Sequence, residues 1–255
     1  MTPFDSILLG IIEGITEFLP ISSTGHLVLT ATVLRIAQSD FVKTFEIVIQ
    51  LGAILSVIVI YFKKFFDPEL VKRLLVAFIP TGVIGLLLYH ILKTYLLGND
   101  YLVLAALFLG GIAIIAFEYW HVDADTDAEI KTVSYRQAFL IGVAQSFAIV
   151  PGVSRSAATI LGGLTLGLSR TTIVEFSFLL AVPTILAASG LDLFKSGFSF
   201  SESEWVLLAL GFVTSFIVAM AAIKWLLGYV RHHSFIAFGV YRIALAIVFY
   251  FVFIR

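Results

Sequence analysis

Six stretches of this chain are apolar over about twenty residues each, at roughly 42–62, 70–91, 100–120, 171–194, 203–227 and 235–254. At 1.5 Å of rise per helical residue, that length matches the ~30 Å hydrocarbon core of a bilayer. Lipid satisfies no backbone N–H or C=O, so stretches of this kind are predicted to cross as helices, which close their own hydrogen bonds. Composition points the same way. Of 255 residues, 60% are hydrophobic and 13% charged, against roughly a quarter charged in a soluble domain. Formal net charge is −1, which gives no support for a nucleic-acid partner. With 0 Cys, a disulfide framework, a thiolate nucleophile and a thiolate metal site are all excluded. The opening Met1-Thr2-Pro3-Phe4-Asp5-Ser6 lacks the basic region of a cleaved signal peptide, so the first apolar segment is expected to stay in the mature protein.

Two further apolar stretches do not read as single spans. Phe4 to Arg35 is broken by Leu19-Pro20-Ile21-Ser22-Ser23-Thr24-Gly25-His26, and Tyr135 to Leu168 by Val150-Pro151-Gly152-Val153-Ser154-Arg155-Ser156. Each half has about 15 residues, roughly 22 Å of helix, too short for the core. Such pairs predict re-entrant helical hairpins with polar tips inside the membrane, where irregular backbone survives only if protein or a cavity surrounds it. Two kinked full-length helices are the alternative.

The halves resemble each other. Leu19-Pro20-Ile21-Ser22-Ser23 lies against Val150-Pro151-Gly152-Val153-Ser154 at a constant offset of 131, and Phe45-Glu46 and Val174-Glu175 follow in turn. A hairpin plus three spans, occurring twice, makes an odd number of crossings per repeat, so the halves are expected to be inverted. The expected architecture is therefore an all-α polytopic membrane protein with six transmembrane helices and two re-entrant hairpins. It forms a single domain, with one repeat over about 1–120 and the other over about 135–255. Charge bias orients it. One side collects Lys63, Lys64, Lys72, Arg73, Lys131, Arg136, Arg170, Lys224 and Arg231, and is read as cytoplasmic despite the acidic run Asp123-Ala124-Asp125-Thr126-Asp127. The other keeps Arg35, Lys43, Lys93, Lys195 and Arg255. The first hairpin then enters from outside and the second from the cytoplasm, with both termini outside and the tips meeting near the midplane.

The polar residues at membrane depth are the candidates for function, because ionisable groups there are costly. Glu13 and Glu17, four apart, share one helix face. Together they suit a divalent cation such as Mg²⁺ or Ca²⁺, one could act as a general base, or a protonated pair could simply join helices. Ser22, Ser23 and Thr24 are natural N-cap residues, and three hydroxyls before His26 exceed what a cap needs. His26, three residues after Ser23, could serve as base to a serine nucleophile or contact a phosphoryl group with it. In the second tip Arg155 stands between Ser154 and Ser156 at a helix start, where amides favour anions and a guanidinium binds phosphate bidentately. Two anion-friendly tips facing each other make a phosphate or pyrophosphate site the simplest reading, with structural neutralisation of Glu13 or Glu17 as the other role for Arg155. Gln50 and Gln145 are candidate cavity-lining residues. Glu46, Glu175 and Arg170 sit near span ends, Arg242 needs a partner inside the last span and reads as structural, and His90, His121, His232 and His233 read as interfacial. The phenylalanines read as lipid-facing or packing residues.

Glu13-Gly14-Ile15-Thr16-Glu17-Phe18-Leu19-Pro20-Ile21-Ser22-Ser23-Thr24-Gly25-His26 resembles the first signature of the bacterial undecaprenyl-diphosphate phosphatases, the bacitracin-resistance proteins. Pro151-Gly152-Val153-Ser154-Arg155-Ser156 resembles their second, and the likeness continues through Phe45 to Gly52 and Glu175 to Ala181. The one departure is Ala157, where the pattern expects Gly. The resemblance implies hydrolysis of a C55 polyisoprenyl diphosphate to the monophosphate in the bacterial cytoplasmic membrane. The site would open to the outer face, need a divalent cation, and serve cell-wall carrier recycling and bacitracin resistance. It implies Glu13 and Glu17 as the acidic, cation-holding pair, Ser23 and His26 at the reacting phosphorus, and Arg155 on the diphosphate. Ser22, Thr24, Ser154, Ser156 and Gln50 would bind substrate. The nucleophile stays open between Ser23, His26 and a Glu-activated water, and monomer and homodimer are both open. Expected partners are the lipid substrate and surrounding membrane lipid. A transporter or flippase for polyprenyl phosphate or another anionic lipid is the rival reading, since inverted repeats with midplane tips are transporter architecture; a purely structural scaffold would leave the buried ionisable groups unexplained.

Overall fold

The computed structural model describes residues 1–91, 96, 99–120, 133–196 and 200–254, and the described residues are helical, without strands. Two short helices followed by three longer ones occur twice. The first set is α1 (Pro3–Thr16), α2 (Ser23–Val33), α3 (Asp40–Ile60), α4 (Pro68–Ile91) and α5 (Asp100–Trp120). The second is α6 (Tyr135–Gln145), α7 (Arg155–Thr165), α8 (Arg170–Ser196), α9 (Glu202–Val230) and α10 (Ile236–Phe249). Six helices, α3, α4, α5, α8, α9 and α10 with its extension to Phe253, are long and apolar enough to cross a membrane. They coincide with the six apolar stretches. This is a multi-pass membrane protein.

Local chemistry sets the boundaries. Thr2 and Asp5, Ser134 and Gln137, and Ser201 and Glu204 form capping boxes at the starts of α1, α6 and α9, each satisfying amides that the first turn leaves open. α1 has 14 residues and α2, α6 and α7 have 11 each, or about 21 Å and 16 Å of helix. None of the four reaches across a bilayer core alone. The breaks fall where the sequence places Pro20 and Pro151.

One detail of the repeat differs from the sequence reading. The N-caps of α2 and α7 are Ser22 and Ser154, 132 residues apart rather than 131. The second tip carries one residue more between its proline and its cap, so Ser22 matches Ser154, not Val153, and Ser23 matches Arg155. The same 132-residue step relates Gly10 to Gly142 and Glu13 to Gln145.

Packing follows the same pairing. α1 and α3 lie along α9, α6 and α8 lie along α4, and α3 meets α8 while α5 meets α10. Close approach depends on glycine. A Cβ on Gly142 would lie 1.9 Å from the Ala77 carbonyl oxygen of α4, and one on Gly10 would lie 2.7 Å from the Gly211 oxygen of α9. Small residues of this kind let backbones touch where lipid supplies no hydrophobic drive between helices. Ser6 and Ser215 add hydrogen bonds to the Leu207 and Ile49 carbonyls (2.6 and 2.7 Å). Near the basic loops Arg170 pairs with Glu118 through two bonds of 2.5 and 2.7 Å, and Glu118 also accepts from the Phe235 amide. Lys64, in the short 3-10 turn after α3, pairs with Glu175 of α8. Arg170 and Glu175, read from the sequence as span-end residues, are thus interhelical ties. His232 and His233 are exposed. The readings on Lys93, His121, Asp123, Asp125, Asp127, Lys131 and Arg255, and on the side chains of His90 and Lys195, lie outside the described residues.

Candidate active site

The two tips meet. Ser156 Oγ of α7 donates to the Phe18 carbonyl at 2.7 Å, and Arg155 Nη2 donates to Glu17 Oε1 at 2.8 Å. Between the tips and the second halves of α4 and α8 lies a cavity of about 650 Å³. Glu17, Ser22, Ser23, Thr24, Ser154 and Arg155 line its polar end together with Gln50 and Gln145. Phe78, Ile79, Val83, Leu86, Ile185 and Leu191 line its apolar walls. A polar end with apolar walls suits a ligand with a charged head and a hydrocarbon tail.

Three hydrogen bonds organise the polar end. Ser23 Oγ donates to Glu17 Oε2 at 2.5 Å. Arg155 reaches Glu17 through Nη2 and the Ser177 carbonyl through Nη1, both at 2.8 Å, while its buried Nε makes no bond. Glu17 is therefore held from both sides, one oxygen on a hydroxyl and the other on a guanidinium. Ser22 and Ser154 sit at φ 73° and 78°, a region that non-glycine residues rarely adopt and that stores strain at functional sites. Each caps its helix, accepting from Gly25 N and Ala157 N respectively. Gly152 at φ +94° is pressed so closely on α5 that a Cβ would lie 2.7 Å from the Val103 oxygen; only glycine fits there.

The predicted residues divide into two groups. Glu17, Ser22, Ser23, Thr24, Gln50, Ser154 and Arg155 face the cavity together. Glu13, fully buried one turn behind Glu17, does not line it, and Ser156 is spent joining the tips. His26 is likewise set apart. Its Nδ1 meets the Ser22 carbonyl at 2.7 Å and its Nε2 meets Tyr241 Oη at 2.8 Å, so the hydroxyl of Ser23 pairs with Glu17 and not with His26. Sequence reading missed Tyr241, 215 residues away from its partner. It also missed Thr81 and Thr184, which receive Gln145 Nε2 at 2.9 and 3.2 Å. Each of these threonines follows a proline inside a wall helix, Pro80 in α4 and Pro183 in α8, and that repeated Pro-Thr pair was a signal available in the sequence.

Both glutamates fit a divalent cation in donor type, and Glu13 fits it in availability as well. Both carboxylate oxygens of Glu13 are buried without a hydrogen-bond partner, and Glu17, one turn further on, is an electrostatic neighbour. Carboxylate oxygens are the donors that Mg²⁺ and Ca²⁺ take. Glu46 is a further electrostatic neighbour of Glu13, with one orphaned oxygen. Among the described residues, no set of three or more His, Asp or Glu side chains is placed to hold a metal ion.

Residues 6–248 match the family model described as bacitracin resistance protein BacA. The chain belongs to the BacA family. Relatives cover it end to end. It is 52% identical over 250 residues to an undecaprenyl-diphosphatase of Aquifex aeolicus (strain VF5), covering 98% of each chain. Identity is 53% over 251 residues to that of Sulfurihydrogenibium sp. (strain YO3AOP1), covering 98% of this chain and 99% of the other. A Thermus thermophilus relative of the same name is 45% identical over 259 residues, covering 100% of this chain and 99% of the relative. The polar tips are thus the conspicuous site in a BacA-family chain.

Proposed function

We propose that this chain hydrolyses undecaprenyl diphosphate to the monophosphate and inorganic phosphate, recycling the carrier lipid and conferring bacitracin resistance. The relatives named for that activity match the chain over nearly its whole length, and no comparison favours the transporter alternative. The observation that carries the reading is the site itself, a serine hydroxyl held by a carboxylate beside an arginine, at the polar end of an apolar-walled cavity.

Phosphoryl transfer needs positioning and charge stabilisation above all. In the proposed reaction Arg155 holds the diphosphate, helped by the Ser22, Thr24 and Ser154 groups around the two helix starts. Ser23 Oγ attacks the terminal phosphorus while its proton passes to Glu17 Oε2. The bond from that phosphorus to the bridging oxygen breaks, and the lipid monophosphate leaves. Glu17 returns that proton to the departing monophosphate and then takes one from the water that attacks the phosphoserine. The bond from phosphorus to Ser23 Oγ breaks, Oγ recovers its proton from Glu17, and phosphate is released. Both ring nitrogens of His26 are engaged elsewhere, which supports Glu17 rather than His26 as the base and leaves His26 supporting the tip from behind. Glu13 and Glu17 would hold the divalent cation, which when bound supplies further charge stabilisation to the phosphoryl group.

The surrounding architecture supports a single domain with two re-entrant hairpins in inverted repeats. The short helix pairs recur in order, their caps share one backbone conformation, and the packing partners exchange between halves. The face follows from charge. Basic Lys64, Lys72, Arg73 and Arg170 stand at the starts of α4 and α8, and the cavity walls come from their far halves. With the basic side cytoplasmic, the site opens to the outer face of the cytoplasmic membrane, and the tail lies laterally between α4 and α8.

The test is phosphate release from a C55 diphosphate by purified protein in detergent with Mg²⁺ or Ca²⁺. Wild type is expected to release it and folded Arg155→Ala to lose most of the rate. Equal rates would overturn the site, and no release by wild type would overturn the reaction.

A further inference from the structure

Arg242 in α10 is the largest fully buried side chain among the described residues. Its hydrogen bonds all go to backbone carbonyl oxygens. Nη1 donates to Pro20 of the first tip (3.2 Å) and Val153 of the second (2.9 Å). Nη2 donates to Gly152 (2.9 Å) and to Ala106 of α5 (2.9 Å), and Nε donates to Leu107 (3.2 Å). A guanidinium has five N–H donors in a fixed fork, and all five are used. One side chain thereby ties both tips to a spanning helix.

What the arginine does follows from the planarity of the peptide. Across a trans peptide, C=O and the next N–H point in opposite directions. Turning the Val153 carbonyl toward Arg242, which does not line the cavity, turns the N–H of Ser154, which does line it, away from Arg242. The neighbouring amides are spent in the tip turns, Val153 on the Val150 carbonyl and Ile21 on the Leu19 carbonyl. The positive φ of Gly152 and of Ser154 is held at the same place, and Arg242 supplies the opposing contact that keeps this strained backbone from relaxing.

We infer that Arg242 is a positioning residue that holds the two tips with the Ser154 amide aimed at the bound diphosphate. The inference rests on the hydrolase reading above, and it predicts that anion affinity depends on a residue that does not line the cavity.

Two variants probe it. Arg242→Lys keeps a charge but offers three donors to five acceptors. Gly110→Ala keeps Arg242 and displaces it, because a Cβ there would lie 2.1 Å from Nη2 and 2.7 Å from Cζ, side-chain atoms rather than backbone, so that the guanidinium must shift off its carbonyl partners. Inorganic pyrophosphate serves as a competitive probe, read alongside Tm and KM. At least a tenfold rise in the pyrophosphate inhibition constant and in KM is expected in both variants, with Gly110→Ala still folded. A lowered Tm with unchanged inhibition constant and KM in the folded protein would overturn the inference and leave Arg242 a packing residue. If wild type released no phosphate, the hydrolase reading alone would fall. Arg242 would then be judged by thermal stabilisation with pyrophosphate, tenfold weaker in the variants for the inference and equal to wild type against it.

Discussion

Ser23 Oγ and Glu17 Oε2 lie 2.5 Å apart across the first tip, and this contact rather than the neighbouring His26 defines how the hydroxyl is held. Proton transfer by a positioned base contributes about 10²–10⁴-fold. Glu17→Gln is therefore expected to lower kcat by that amount, and Ser23→Ala by as much or more. Residues acting as a unit are not additive, so the double variant should be little slower than the slower single one. Independent, multiplying losses in kcat would show that the two groups act in separate steps.

Arg155 bridges Glu17 and the Ser177 carbonyl and keeps its buried Nε unbonded. A lysine cannot reproduce that planar fork. Hydrogen bonds to charged groups are worth about 1.5–3 kcal/mol, so Arg155→Lys should raise KM for the lipid diphosphate about 10–100-fold. Steady-state kinetics over a range of substrate in mixed micelles would measure it. An unchanged KM with a reduced kcat would move Arg155 from holding the diphosphate to stabilising only the transition state.

Much of this was legible in the sequence, for identifiable reasons. Span lengths are dictated by bilayer thickness, so six apolar stretches became six helices. Pro20 and Pro151 marked the breaks, and Ser22 and Ser154 were readable as caps, although the one-residue difference between the tips was hidden until their backbone was seen. Pairings across the fold were not legible. His26 finds Tyr241 at a separation of 215 residues, and no local periodicity encodes that; the pairing of Arg155 with Glu17, 138 residues away, was legible only as a charge that needed Glu13 or Glu17. Arg242 was read as needing a partner, but carbonyl groups have no residue identity and leave no trace in a sequence.

The contact of α6 with α4 should be the more easily broken of the two matching helix crossings. A Cβ on Gly142 would fall inside the Ala77 carbonyl, where only backbone movement can relieve it. Gly142→Ala is expected to destabilise by about 1–3 kcal/mol, the usual cost of overpacking. Gly228→Ala is the control, since nothing lies within 4 Å of its added carbon and alanine favours the helix. Thermal unfolding in one detergent should separate the pair, with Tm falling for the first and holding or rising for the second. Equal Tm values would mean that α4 and α6 are not packed this closely.

Glu13 decides how the cation requirement arises. Its two oxygens are buried and unbonded, next to Glu17, and a carboxylate left so at membrane depth is stabilised by a proton or by a cation. Glu13→Gln keeps the shape and removes the charge. If the pair holds the cation, the variant should require at least tenfold more Mg²⁺ or Ca²⁺ for half-maximal rate, while its rate at saturating cation recovers toward wild type. Tm in the absence of cation should hold or rise, because a buried charge has been removed. A variant whose cation dependence matched wild type would place the cation away from Glu13, on the diphosphate oxygens themselves, and would leave Glu13 as a protonated partner of Glu17.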